Sequence, residues 1–223
     1  MMQQPRVIGL GLAGALLLVG CAGPAVKTRP GAVLVCEGRS ADGPDAASCA
    51  AAMASAATRA AREATGAGWS MQGRVAVSTG QQSGSARLDW RQRGAGRYAV
   101  ELAAPITRQT WELRVDPGRA EIRGMPEGPR KGHSASVLLR EVTGWEIPVE
   151  SLRFWLRGVA APGPVPERHA FAGDGGLVGL WQDGWRIEFV RAGADALPSR
   201  ITATRGDSRV RLQVDAWGSA DGG

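Results

Sequence analysis

Cysteine and histidine are the residues here best able to do covalent or coordination chemistry, and Cys21 has the most telling surroundings. It ends the run Leu18-Val19-Gly20-Cys21, with small Gly20 directly before the thiol and an apolar stretch from Val7 to Val19 behind Arg6. A basic residue, a short apolar core and a small residue before cysteine mark a bacterial lipoprotein signal. The stretch falls well short of the ~20 residues a helix needs to cross hydrocarbon. Residues 1–20 therefore read as a cleaved leader. Cys21 becomes the first residue of the mature chain, carrying thioether-linked diacylglycerol and an amide-linked acyl group such as palmitate. An ordinary leader beside a chance cysteine is the alternative. With several acyl chains contributing about 0.8 kcal/mol per buried methylene, the lipidated chain stays at a membrane.

The other two cysteines, Cys36 and Cys49, precede the patterned part of the chain; in an oxidising envelope they either pair or stay free. Metal binding is not expected, because His133 and His169 are far from them and lack ligand spacing. Neither histidine has a nucleophile elbow nearby, so hydrolytic chemistry has no activated nucleophile and the chain is not expected to be an enzyme. No GxxxxGK[ST] loop occurs, and no cofactor is expected. The formal charge of +6 suits anionic headgroups or an acidic partner, or else belongs to solvated strand faces. Its arginines alternate with apolar residues without an aromatic-rich signature, which argues against nucleic acid.

The elements that must position any site follow from the punctuation. Residues 22–45 are dense in glycine and proline and read as a tether, with the apolar run Ala32–Val35 as either linker or stray strand. Alanine dominates Ala46–Arg62, which reads as a helix lying against something larger or as low-complexity tether. Residues 21–68 are thus a lipidated tether with an Ala-rich helix, 69–217 a β domain and 218–223 a tail. From Trp69 the period becomes two: Val75 and Val77, then Leu88 and Trp90, then Tyr98, Val100 and Leu102, then Trp111, Leu113 and Val115, then Ile122. Ala135 to Val142 and a stretch from Pro148 to Trp155 return to helical spacing, with Gly158 as the stop. Strands resume over Leu177–Trp181, Trp185–Phe189, Leu197–Thr204 and Val210–Trp217, with a hairpin turn at Asp183-Gly184.

About nine or ten strands, each apolar on one side, need to wrap that side around something. The expected fold is mainly β with helices, an antiparallel curved sheet forming an open, incomplete β-barrel with the two central helices packed in its concave face.

The order of these features resembles the LolB family of outer-membrane lipoprotein receptors. The resemblance runs through Trp69–Val77 with Gly73-Arg74, Leu88–Gln92 with Trp90, Pro105, Gly144–Leu152 with Pro148, Trp155–Gly158, Gln182–Trp185, Leu197-Pro198 and Trp217. It implies a LolA/LolB-like open barrel with an acyl-binding cavity. The partners it implies are a LolA-type periplasmic carrier, acylated lipoproteins and outer-membrane phospholipid, for a monomer acting without an energy source of its own. Ala22 after the lipidated cysteine, in place of aspartate, is similar to the outer-membrane sorting choice. A protruding membrane-insertion loop is implied at Pro105, Ile106 and Thr107, where the family's Pro-Leu-Gly reads Pro-Ile-Thr. The candidate acyl lining is Leu88, Trp90, Val100, Leu102, Leu113 and Ile187 from strands, with Leu138, Leu139, Val142, Leu152 and Trp155 from helices. Each can equally be ordinary core, and alternation cannot tell a packed interior from a fillable one. A lipid-anchored structural or small hydrophobic-ligand-binding barrel fits the same pattern.

Overall fold

The computed structural model describes residues 33–38, 45–104 and 109–220. Cys21 and the insertion-loop residues Pro105, Ile106 and Thr107 lie outside the described residues. In chain order the elements are β1 (Leu34–Glu37), α1 (Ala46–Ala64), β2 (Trp69–Thr79), β3 (Gln82–Gly94), β4 (Arg97–Ala103), β5 (Thr110–Asp116), β6 (Arg119–Arg123) and β7 (Arg130–Gly132). After them come α2 (Ala135–Thr143), α3 (Val149–Trp155), β8 (Arg168–Phe171), β9 (Leu177–Gln182), β10 (Trp185–Val190), β11 (Arg200–Arg205) and β12 (Ser208–Ser219).

All the strands join one antiparallel sheet, in the order β1-β8-β9-β10-β11-β12-β2-β3-β4-β5-β6-β7. No pairing joins β1 to β7 among the described residues, so the sheet is open, as the one-sided strands led us to expect. The alternation that defined the strands is the alternation of burial. Leu88, Trp90, Val100, Leu113 and Ile122 are buried, while Arg87, Arg91, Glu101, Arg114 and Arg123 are exposed. At Asp183-Gly184 both residues have positive φ, 55° and 70°, the backbone that a two-residue hairpin with matching twist requires.

Three strands exceed the sequence reading. β7 and β8 are too short to show a period, and β1 is the apolar run left undecided between linker and strand. It pairs with β8 along Leu34↔Phe171 to Glu37↔Arg168. β11 starts at Arg200, later than the expected Leu197, because Pro198 has no N–H to give a ladder.

Residues 21–68 were read as a lipidated tether whose Ala-rich stretch is either a helix lying against something larger or low-complexity linker; the described part, β1 and α1, packs with the sheet. Both fall within the compact unit Gly31–Gly223. Ala52, Met53 and Ala56 pack against the main core and Ala60 against Phe154 and Val159, a stripe at spacings of three and four whose small side chains allow close approach. Cys36 and Cys49 are joined by a disulfide with Cα atoms 5.6 Å apart. Near the end of α1, Glu63 accepts two hydrogen bonds of 3.1 Å from Arg157. The Arg157 guanidinium lies 5.6 Å from the ring centre of Trp69 and 5.2 Å from that of Trp217.

The two central helices are locked together by one carboxylate. Ser134 caps α2 by accepting from Val137 N at 3.3 Å. Its hydroxyl donates to Glu150 of α3 at 2.9 Å, and Ser136 donates to the same carboxylate through both its hydroxyl and its N–H. Burial pushes the Glu150 carboxyl up, but the donors from Ser136 and Ser134 outweigh it and hold the group below its ordinary value.

Candidate functional site

The interior of the curved sheet is filled unevenly. On the β8–β11 side, Leu180, Ile187, Ile201 and Ala203 are 0–1 % exposed and pack with Trp155, Leu156, Phe171 and Trp185. Trp155 and Trp185 sit 6.2 Å apart. Two polar side chains, His169 of β8 and Gln182 of β9, are buried in this half. Gln182 accepts from Trp155 Nε1 and from Ala161 N, each at 3.0 Å, and donates to the carbonyls of Ala161 and Pro164 at 2.7 and 2.8 Å. All its hydrogen-bonding capacity toward α3 and the loop after it is used, which explains a buried amide in an apolar surround.

The other half is hollow. Strands β2 to β6 and β12, the segment Trp145–Ile147 and the first half of α3 enclose a cavity of about 880 Å³. Its wall is mostly aliphatic and aromatic: Val75, Val77, Leu88, Trp90, Val100, Leu102, Trp111, Leu113, Leu139, Trp145, Ile147, Val149, Leu152, Val210 and Leu212 all contribute. Such a volume lies within the ~300–1,000 Å³ typical of ligand sites, with an apolar lining suited to an oily guest. The division between halves runs through α3: Val149 and Leu152 face the cavity, whereas Trp155, a turn further on, enters the packed side.

Of the expected lining residues, the structure brings together Leu88, Trp90, Val100, Leu102, Leu113, Leu139 and Leu152 at the cavity wall. Leu138, Val142, Trp155 and Ile187 are not at it. Leu138 and Val142 pack in the core, where α2 lies on β6 and β7, and Trp155 and Ile187 belong to the filled half. The sequence reading did not place Val75, Val77, Trp111, Trp145, Ile147, Val149 and the β12 pair Val210 and Leu212 in this wall. Trp111 and the β12 pair alternate like their neighbours, but which strands share a hollow depends on sheet order, and β12 pairs with β2 across most of the chain's length.

Register places three hairpins at one end of the sheet, since Ser78 pairs with Arg209, Arg209 with Thr204, and Thr204 with Arg186. The flanks of the expected insertion loop, Ala104 and Gln109, are hydrogen-bonded at 2.9 Å and both line the cavity. Among the described residues no group of histidine, cysteine or acidic side chains has the geometry to hold a metal, and no helix is long and apolar enough to cross a membrane.

The family model described as outer membrane lipoprotein LolB matches residues 67–217. The outer-membrane lipoprotein LolB of Xanthomonas campestris pv. campestris (strain B100) is 44% identical over 156 residues, covering 67% of this chain and 71% of that protein. Its counterpart in Xylella fastidiosa (strain 9a5c) is 37% identical over 155 residues, covering 67% and 70%. Among solved structures, a LolA superfamily protein from Nitrosomonas europaea is similar at 10% identity with a TM-score of 0.42, covering 74% of this chain and 92% of that one.

Proposed function

This chain belongs to the LolB family of outer-membrane lipoproteins, and from that premise we propose that it takes lipoproteins from a LolA-type periplasmic carrier into its apolar cavity and passes them to the outer membrane. The protein is an outer-membrane, lipid-anchored lipoprotein of the lipoprotein-localisation machinery, in a family that traffics lipoproteins and is not one of enzymes. The finer steps are our reading, and the observation that carries them is the hollow half of the barrel.

A lipoprotein's acyl chains expose apolar surface at a cost of about 0.8 kcal/mol per methylene, so they travel only when shielded. A cavity lined by Leu88, Val100, Leu113 and Leu152 removes that surface from water through contacts that are individually weak and non-directional. Release then needs no broken covalent or ionic bond. With no phosphate-binding loop in the sequence, transfer runs downhill from carrier to cavity to bilayer. Cys21 bears the acyl anchor that keeps the protein at the bilayer. Ile106, in the loop whose flanks meet the cavity, inserts into outer-membrane phospholipid and lowers the barrier to release. The protein acts as a monomer and needs no cofactor.

The test is transfer of a lipoprotein from purified carrier to this protein without nucleotide. We expect the lipoprotein to move to the receptor and, when vesicles are added, onward into them. A lipoprotein that stays with its carrier, while the receptor still captures free fatty acid, would replace this reading with a small-ligand-binding barrel.

A further inference from the structure

The carbonyl that links an acyl chain to its protein is the one polar group the chain must carry into an apolar pocket, and one residue of the wall lacks a partner of that kind. Among the described residues, Trp145 is the single cavity-lining residue with a buried side-chain polar atom that makes no hydrogen bond, its indole N–H. A buried unpaired donor is costly and rarely kept without reason.

The ring has a defined seat and few ties behind it. It lies over Gly84 of β3, where a Cβ would come within 2.7 Å of its Cη2, so the absence of a side chain there makes its seat. Trp111 is its aromatic neighbour at 6.5 Å. The backbone carrying it leaves α2 through Gly144, whose φ of 75° ends the helix, and Trp145 N donates to Thr143 Oγ1 at 3.1 Å. Next in the chain, Glu146 meets Arg205 at 2.9 Å and Arg140 at 4.0 Å. These ion pairs join well-exposed side chains and are weak holds.

We propose that Trp145 is the specificity-determining residue of the cavity. On entry of an acylated ligand its ring shifts off Gly84, and its N–H donates to the ester or amide carbonyl at the head of the acyl chain. The pocket then prefers carbonyl-linked chains to plain hydrocarbon tails of equal length. This rests on the cavity reading given above.

The experiment uses the full chain carrying Cys21→Ala and two fluorescent tails of equal length, one joined through an ester and the other through an ether. The chain with Trp145 should bind the ester about five-fold more tightly, the worth of one net hydrogen bond. Trp145→Phe should bring the ester-to-ether ratio to about one, whatever the smaller ring does to the affinity for both tails. Independently of any variant at 145, the nitrogen-15 indole resonance of Trp145 should move further downfield with the ester than with the ether. Equal affinity for the two tails, an ester preference that survives Trp145→Phe, or an indole resonance indifferent to the carbonyl would overturn the inference while leaving the cavity reading intact. Failure to bind either tail would remove the cavity reading and this inference together.

Discussion

At the scale of single residues, the fold depends most on polar groups set into apolar surroundings. Gln182 links the filled half of the barrel to the loop after α3 through hydrogen bonds from Trp155 Nε1 and Ala161 N and to two carbonyls. Gln182→Leu keeps the volume but leaves those groups unpaired, and should cost about 3 kcal/mol in unfolding free energy by chemical denaturation. His169 is buried beside Phe171, and burial holds its imidazole below the ordinary 6.5. The folded chain therefore takes up a proton later than the unfolded chain as pH falls. The stabilisation from the neutral ring is complete above about pH 6.5 and fades below it. Between about pH 6.5 and 5, the unsubstituted protein should lose more stability than His169→Phe does. Ile106→Glu should leave folding and lipoprotein capture intact but slow delivery into vesicles, since a charge would have to enter the lipid interface. Unchanged delivery would remove the loop from the account.

At the scale of elements, what could be read in the sequence followed strand length. β2 to β6, β9, β10 and β12 were legible because each repeats apolar and polar residues for several periods, and the hydrophobic effect enforces that period wherever one face is buried. β7 and β8 were not, because three or four residues carry no period; His169, Ala170 and Phe171 are buried in succession. The N-terminal elements stayed undecided between linker and docked element for another reason. Alanine and a short apolar run look the same in a tether as in a docked element, and what docks them is non-local: β1 pairs with β8 and Glu63 binds Arg157, while the disulfide ties β1 to α1. The disulfide closes a loop between residues 13 apart in sequence. Replacing both Cys36 and Cys49 by alanine should therefore lower stability by about 3 kcal/mol. Proteolysis of the double variant should cut within β1 and α1 first, while the sheet from β2 onward stays protected.

At the scale of the whole molecule, the proposed function rests on a barrel filled on one side and hollow on the other. Seven of the anticipated lining residues reach the hollow, but the sequence could not divide the interior, because Leu88 and Ile187 follow the same alternation and differ only in what the helices place opposite them. Trp155, Leu156 and Ile187 belong to the packed core, whereas Leu88 lines the cavity. Ala86→Phe, at the cavity wall, should therefore fold with little loss of stability yet weaken acyl-chain binding at least about ten-fold, since the added ring takes space meant for the guest. A ring added at Ala203, in the filled half, should instead destabilise the fold by about 1–3 kcal/mol.

The most direct measurement is to hand the protein a lipoprotein whose acyl chains carry photoreactive groups and to map the cross-links. The account predicts labels on Leu88, Val100, Leu113 and Leu152, with few on Ile187, Trp185 or the arginine-bearing convex face. Labels confined to that outer face, or spread equally over both halves of the interior, would contradict it.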